Sequence, residues 1–355
     1  MTQNNSNTSD NKKKFCSWKK FLFKPDLPKN NPTDIALIKN QAKGKVWVEY
    51  LKFFLIPTYQ SDSFSALETA LIEENSRRST FRKMLTPLTI IGSLIIIFMV
   101  FLAVFAPWLS PYTYKQLSLS QFPGAYAPPS PEHFLGTTLY GRDILGRIIY
   151  GARESLTLGI SAILISYVFG TIFGLIAAYF GGKVDTIIMR IFDLLMTLPG
   201  LVIVLLFGAI FGRTMNVYMI SFGILMIPEN ARLIRSQVLI VKQCQYVEAA
   251  RISGAKDFRI MFKHILPNSI APMIISASFS MGATILGITA LTFLGMGEPN
   301  VVEWGGDVNL GKSMVFQAPW AFFWPGFFII ITVFGFILLG DGLVDVFNPR
   351  NTTEN

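Results

Sequence analysis

Four apolar runs, at residues 88–109, 156–180, 271–294 and 320–339, dominate this sequence. A helix needs about 20 apolar residues to cross roughly 30 Å of hydrocarbon, at about 1.5 Å per residue. A chain in lipid must satisfy its backbone hydrogen bonds internally, so each such run is read as a helix. Two weaker segments lie between the second run and the third. Residues 186–211 contain Arg190, Asp193 and Pro199, and residues 217–230 are apolar only as far as Glu229. Both are counted as spans: counting one alone would move the basic segment that follows to the other side, and counting neither would leave a long apolar stretch in water. The expectation is an all-α integral membrane protein of six transmembrane helices. Composition agrees, with 51% hydrophobic and 15% charged residues against about 25% charged in a soluble chain.

The distribution of Lys and Arg orients these spans. Arg77, Arg78, Arg82 and Lys83 precede the first, and segment 231–270 carries Arg232, Arg235, Lys242, Arg251, Lys256, Arg259 and Lys263. The segments on the other side are sparser, which places both termini and segment 231–270 in the cytoplasm. Fifteen of the 31 basic residues lie before position 87, a pattern that reads as a basic cytoplasmic tail and not as a nucleic-acid surface. Residues 1–76 are read as a cytoplasmic extension, partly disordered where Asn, Ser and Lys crowd the first 15 positions. With no apolar core beside those charges, the start is not read as a cleavable signal peptide. Within the extension, residues 46–56 form an amphipathic pattern suited to the inner interface, and Ser65 with Glu68 matches a capping box. Residues 351–355 are a short C-terminal tail.

Gly170 and Gly174 form a G-x-x-x-G pair that lets helices approach closely in lipid. Arg190 and Asp193, spaced i, i+3 near the cytoplasmic end of the third span, can meet on one face. They are read as an ion pair fixing the helix end, with a gate as the alternative. Pro199 lacks the N–H that the helical ladder needs, so a kink is expected there. Residues 306–313, GDVNLGKS, fit the phosphate-loop spacing, but that loop works between a strand and a helix of an α/β domain. Here it lies in a short outer loop, so the match is read as chance. No H-E-x-x-H pair or other catalytic constellation is present, and no metal site is expected.

The polar stretch YVEAARISGAKDFRIMFKHILPN, residues 246–268, interrupts the apolar sequence. Its pattern predicts a short helix ended near Gly254, the residue type that closes helices at left-handed dihedrals. A second helical segment over 257–264 follows, interrupted by Leu266-Pro267. Ala249 and Ala250 beside the Glu248 carboxylate offer a small-residue surface suited to a groove on another protein. The spacing of Glu248, Ala249, Ala250, Gly254, Leu266 and Pro267 resembles the EAA signature of ATP-binding-cassette importer permeases. It departs at His264, where Ile is general, in a way that resembles the dipeptide and oligopeptide branch. Residues 135–156, LGTTLYGRDILGRIIYGARESL, resemble that branch too, with Thr138 for the usual Asp and Gly146 for Ser. So do residues 291–297, LTFLGMG, and 338–350, LLGDGLVDVFNPR.

The resemblance covers about residues 77–350 and points to the C-type permease subunit. It implies a transmembrane domain over 77–350 in the bacterial plasma membrane, with the EAA residues as the coupling loop on which ATPases dock. It further implies a second permease, two cytoplasmic ATPases and an extracytoplasmic substrate-binding protein as partners. The chain itself would be no enzyme and hold no cofactor, ATP being bound by the partner subunits. Oligopeptides or dipeptides are the implied cargo, with nickel or another small solute as the alternative within the branch. An ATP-independent channel or secondary transporter would show an inverted repeat or a polar mid-membrane site, and the sequence shows neither.

Overall fold

The computed structural model describes residues 86–347, with side chains described as far as Val344. The expectations for 1–76, for the basic flank at 77–83 and for 351–355 lie outside the described residues. Helix α1, Pro87–Leu109, opens with Thr86 as its cap, whose Oγ1 accepts the Thr89 N–H at 3.3 Å, and with Pro in the first turn. A short helix α2, Tyr114–Leu119, follows in the connecting segment.

Helix α3, Ile144–Phe180, has 37 residues and is therefore about 55 Å long. It starts well before the span read at 156–180. The sequence there carries Arg147, Arg153 and Glu154, which look like a membrane boundary. The helix nevertheless begins at Asp143, whose Oδ2 accepts the Gly146 N–H at 2.7 Å. The third expected span is a broken pair, α4 at Gly182–Met196 and α5 at Gly200–Phe211, bent by 83°. Pro199 caps α5 at the break, where the kink was expected. The fourth span is α6, Met215–Leu225, joined through Met226 to α7, Ile227–Val241. Together they form a 27-residue candidate span, longer than the expected 217–230. Arg232 and Arg235 do not end it, because Asp193 and Asp185 on α4 pair with them.

Beyond α7 come α8, Gln245–Ile252; α9, Asp257–Arg259; a π-helical turn, Ile260–Ile265; and α10, Leu266–Ser269. Helix α11, Ala271–Leu291, ends in a second π-helical turn, Thr292–Met296. Helix α12, Trp304–Gly311, and α13, Pro319–Phe347, complete the order. Among the described residues five helices are long and apolar enough to cross a membrane, or six when the bent pair α4 and α5 counts as one span.

Helix α3 is the hub, packing against α1, α4, α6, α7 and α11, while α13 closes the other side against α1, α11 and α12. Small residues permit the closest crossing. A Cβ on Gly174 would stand 2.2 Å from Ile234 Cγ2 and 2.3 Å from Ala231 O, and one on Gly170 would stand 2.8 Å from Asn230 Cβ. The G-x-x-x-G pair is thus the surface on which α7 rests. Beside it the buried Asn230 Nδ2 donates to Ser166 Oγ at 2.5 Å. The opposite faces are apolar and exposed, as at Leu94, Ile97 and Val104 on α1 and Ile330 on α13. In water such faces would be costly; against acyl chains they need no cover.

Gly174→Val is expected to lower the thermal midpoint of the detergent-solubilised protein, in line with an overpacking cost of about 1–3 kcal/mol. Gly326→Ala, where an added Cβ meets nothing within 4 Å, is expected to leave it unchanged or raise it slightly. A thermal-shift comparison of both variants with the parent protein checks this.

Candidate functional site

Between α7 and α11 the chain leaves the helical bundle in an elbow. Helix α8 closes at Gly254, which has φ of +77°. The Ala255 N–H reaches back to Ala250 O at 3.1 Å and the Gly254 N–H to Arg251 O at 3.0 Å, the paired bonds of a Schellman ending. The expected stop at Gly254 therefore has its physical cause in view. The second limb differs from expectation in form: most of it is a π-helical turn, with the Leu266 N–H bonded to Met261 O, five residues back. The wider turn lets the chain reach Pro267, which has no N–H, without breaking the limb's continuity.

Val247 on α8 and Ile260, Met261 and Ile265 on the second limb are buried, and the two limbs pack together. The remaining positions face outward. Glu248 and Ala249 are exposed and Ala250 half-buried; Gly254 and Pro267 are exposed and Leu266 half-buried. Beside them Ile252 is 82% exposed and Phe258 69% exposed, with the Phe258 and Phe262 rings 4.4 Å apart. Glu248 sits in the first turn of α8, where the helix dipole favours an anion. The elbow thus offers a carboxylate, a small-residue ledge and apolar anchors on one projecting tip.

Two contacts tie this tip to the end of α3. Lys242 Nζ donates to Ala178 O at 3.3 Å and to Tyr179 O, a cation on the carbonyl end of a helix. Burial lowers its pKa, and Arg251 adds to the shift. From the second limb, Asp257 Oδ1 accepts the Tyr179 O–H at 2.5 Å. The motif spacing did not reveal Tyr179, Lys242 and Asp257. Their only signal was position, Tyr179 at the end of an apolar run and the other two flanking the motif.

Arg190 and Asp193 do not form the pair expected of them. Asp193 Oδ1 lies 2.5 Å from Arg232 Nη2 on α7, and Arg190 is exposed with no ion pair among the described residues. Asp185 takes Arg235 through two bonds of 2.6 Å. The long guanidinium arms of α7 reach across to α4, so both carboxylates are engaged between helices instead of along one.

The far end of α3 is capped by α12 and the segment before α3. Arg147 Nε lies 2.7 Å from Asp307 Oδ1, both groups nearly wholly buried. Trp304, fully buried, donates from Nε1 to Ile148 O at 3.1 Å. The phosphate-loop look-alike at 306–313 thus lies within α12 and a following 3-10 turn, with no strand before it. Its Asp307 serves as the partner of Arg147. Glu303 caps α12, its Oε2 accepting the Gly306 N–H at 2.9 Å. Burial raises the Glu303 pKa and outweighs the lowering by these hydrogen bonds; burial likewise raises that of Asp307 against the opposing pull of Arg147.

Residues 170–353 match the family described as the binding-protein-dependent transport system inner membrane component. The chain belongs to that family. Residues 86–129 match the N-terminal transmembrane domain of oligopeptide transport permease C. The dipeptide transport system permease protein of Alkalihalophilus pseudofirmus is 39% identical over 264 residues, covering 74% of this chain and 86% of that protein. The glutathione transport system permease protein of Pectobacterium atrosepticum is 38% identical over 260 residues, 73% and 86% of the two. The oligopeptide transport system permease protein of Bacillus subtilis is 36% identical over 264 residues, 74% and 86%. With the five or six candidate spans among its described residues, this inner membrane component is a multi-pass protein of the bacterial plasma membrane.

A buried carboxyl whose pKa is raised on folding stabilises the folded state below its unfolded value and loses that contribution as pH rises through the folded value. The thermal midpoint is therefore expected to fall as pH rises above the ordinary carboxylate range, and Glu303→Gln to flatten that slope. Thermal scans of the two proteins across pH measure the difference.

Proposed function

We propose that this chain is the permease subunit of an ATP-binding-cassette importer for oligopeptides or dipeptides, driven by separate ATPase subunits that dock on the elbow. The elbow carries the reading. It projects exposed apolar side chains, Ile252 and Phe258, beside an exposed carboxylate and a small-residue ledge, and it is bound to the end of the longest helix. Such a tip suits a groove on a rigid partner and passes that partner's movement to α3. The similarity to dipeptide, oligopeptide and glutathione permeases supports peptides as cargo. Counting α4 and α5 as one span puts the start of α1, the elbow and the end of α13 on one side, and the basic residues of the elbow support reading that side as the cytoplasm.

In this reading ATP is bound and hydrolysed by two cytoplasmic partners, and the chain contributes no cofactor. A binding protein delivers the peptide on the outer face, and a second, related permease completes the pathway. The broken span supports the place of that pathway. Residues 193–202, around the 83° bend, are all exposed. Irregular backbone at membrane depth is tolerated only against protein or water, so this face belongs to the second permease and the aqueous path between them. Closure of the ATPases would shift the elbow and tilt α3, exchanging inward and outward openings.

Reconstitution of the chain with its partner subunits in vesicles tests the proposal. Labelled dipeptide or oligopeptide uptake is expected only with ATP inside reach of the ATPases, and uptake that persists without nucleotide would refute it. Glu248→Arg, Gly254→Pro and Ile252→Asp are each expected to reduce ATPase co-purification by about tenfold or more while the protein still inserts. Normal co-purification and transport in all three would remove the elbow from the mechanism.

A further inference from the structure

At the end of the molecule opposite the elbow lies a cavity of ≈ 300 Å³ that the reading above does not use. Arg142, Arg147, Glu298, Gln121, Asn300 and Asn309 contribute its polar lining. Its two arginines are engaged differently. Arg147, 4% exposed, directs Nε to Asp307 Oδ1 at 2.7 Å, Nη1 to Leu117 O at 2.5 Å and Nη2 to Val301 O at 3.4 Å. Its charge is paired and each of its three nitrogens has an acceptor.

Arg142 is 6% exposed and donates only from Nε, to Ser120 O at 2.8 Å. Its guanidinium carbon lies 4.7 Å from the centre of the Tyr140 ring. Among the described residues neither Nη has an acceptor and no carboxylate pairs with it. Its Nη nitrogens stay open to the cavity. It also presents the planar edge of two nitrogens that a carboxylate matches with paired hydrogen bonds.

The same cavity holds a group of opposite kind. Glu298 accepts the Met215 N–H at Oε2, 2.9 Å away, and its other oxygen has no partner among the described residues. The amides of Gln121, Asn300 and Asn309 likewise make no side-chain hydrogen bond there. The volume is at the lower end of small-molecule sites, room for a very short peptide and not for a long one.

We propose that this cavity binds a small zwitterion, its carboxylate on the Nη edge of Arg142 and its ammonium at Glu298. The choice of a peptide as the zwitterion rests on the transport reading above; the requirement for a carboxylate and an ammonium does not. The cavity would hold a very short peptide, or a free amino acid, at the end of the protein away from the ATPases.

The test is equilibrium binding of labelled dialanine to the full-length chain in lipid nanodiscs, with dialanine amide and N-acetyl-dialanine as competitors. Dialanine is expected to bind saturably, and each blocked analogue at least about tenfold more weakly, because each leaves one of the two charged groups without its partner. Arg142→Gln is expected to weaken dialanine by a similar factor, with Arg142→Lys falling between. Absence of saturable binding overturns the proposal, as does equal affinity for dialanine and either analogue. If Arg142→Gln fails to fold, the ligand series on the unaltered protein still decides. ATP-dependent uptake by the full transporter without saturable binding here would overturn the cavity site and leave the transport reading standing.

Discussion

Arg147 and Asp307 meet at 2.7 Å out of reach of water, and the end of the molecule opposite the elbow is arranged around that contact. Removing one member of such a pair strands a buried charge, at a cost of about 3–5 kcal/mol. Around it, Arg147 also binds Leu117 O and Val301 O, so one side chain gathers α2, the segment before α12 and α12 itself onto α3. Trp304 seals the arrangement from below, its indole against Gly151, where a Cβ would stand 2.4 Å from Nε1.

The other end of α3 is held by quite different chemistry. Lys242 covers its last carbonyls and Asp257 takes the Tyr179 hydroxyl, so the start of the elbow and its second limb are tied to one helix end. These bonds are only partly buried, so each is worth less than a fully buried counterpart. The asymmetry suits the proposed mechanism: a tightly built outer cap, and an elbow attached by contacts that can shift as a unit. Helix α3, about 55 Å long, joins the two.

Local features were legible in the sequence. The apolar runs revealed the all-helical membrane fold, because a span needs only length and apolarity. The Gly254 stop and the EAA spacing could be read because a helix ending is set within a few residues. Gly170 and Gly174 showed as a small-residue face, though not that Ala231 and Ile234 would lie on it. Charged positions misled wherever their partners were distant in the chain. Arg147 looked like a boundary because Asp307 stands 160 residues away. The fourth span was read as ending at residue 230, ahead of Arg232 and Arg235, because the carboxylates that pair with them lie on α4. Asp193 was matched to Arg190 by spacing, whereas the partner it meets is 39 residues on.

Sequence alone determined the helical membrane class, the position of the elbow and the site of the break at Pro199, since each follows from backbone chemistry over short stretches. Tertiary structure alone decided how sharply the third span bends, where α3 begins, which carboxylate neutralises which arginine, and that Arg142 borders a cavity without an acid of its own. Those outcomes depend on which helices lie side by side. In a membrane a charge is tolerated or excluded according to its neighbour in space, and that neighbour is rarely its neighbour in the chain.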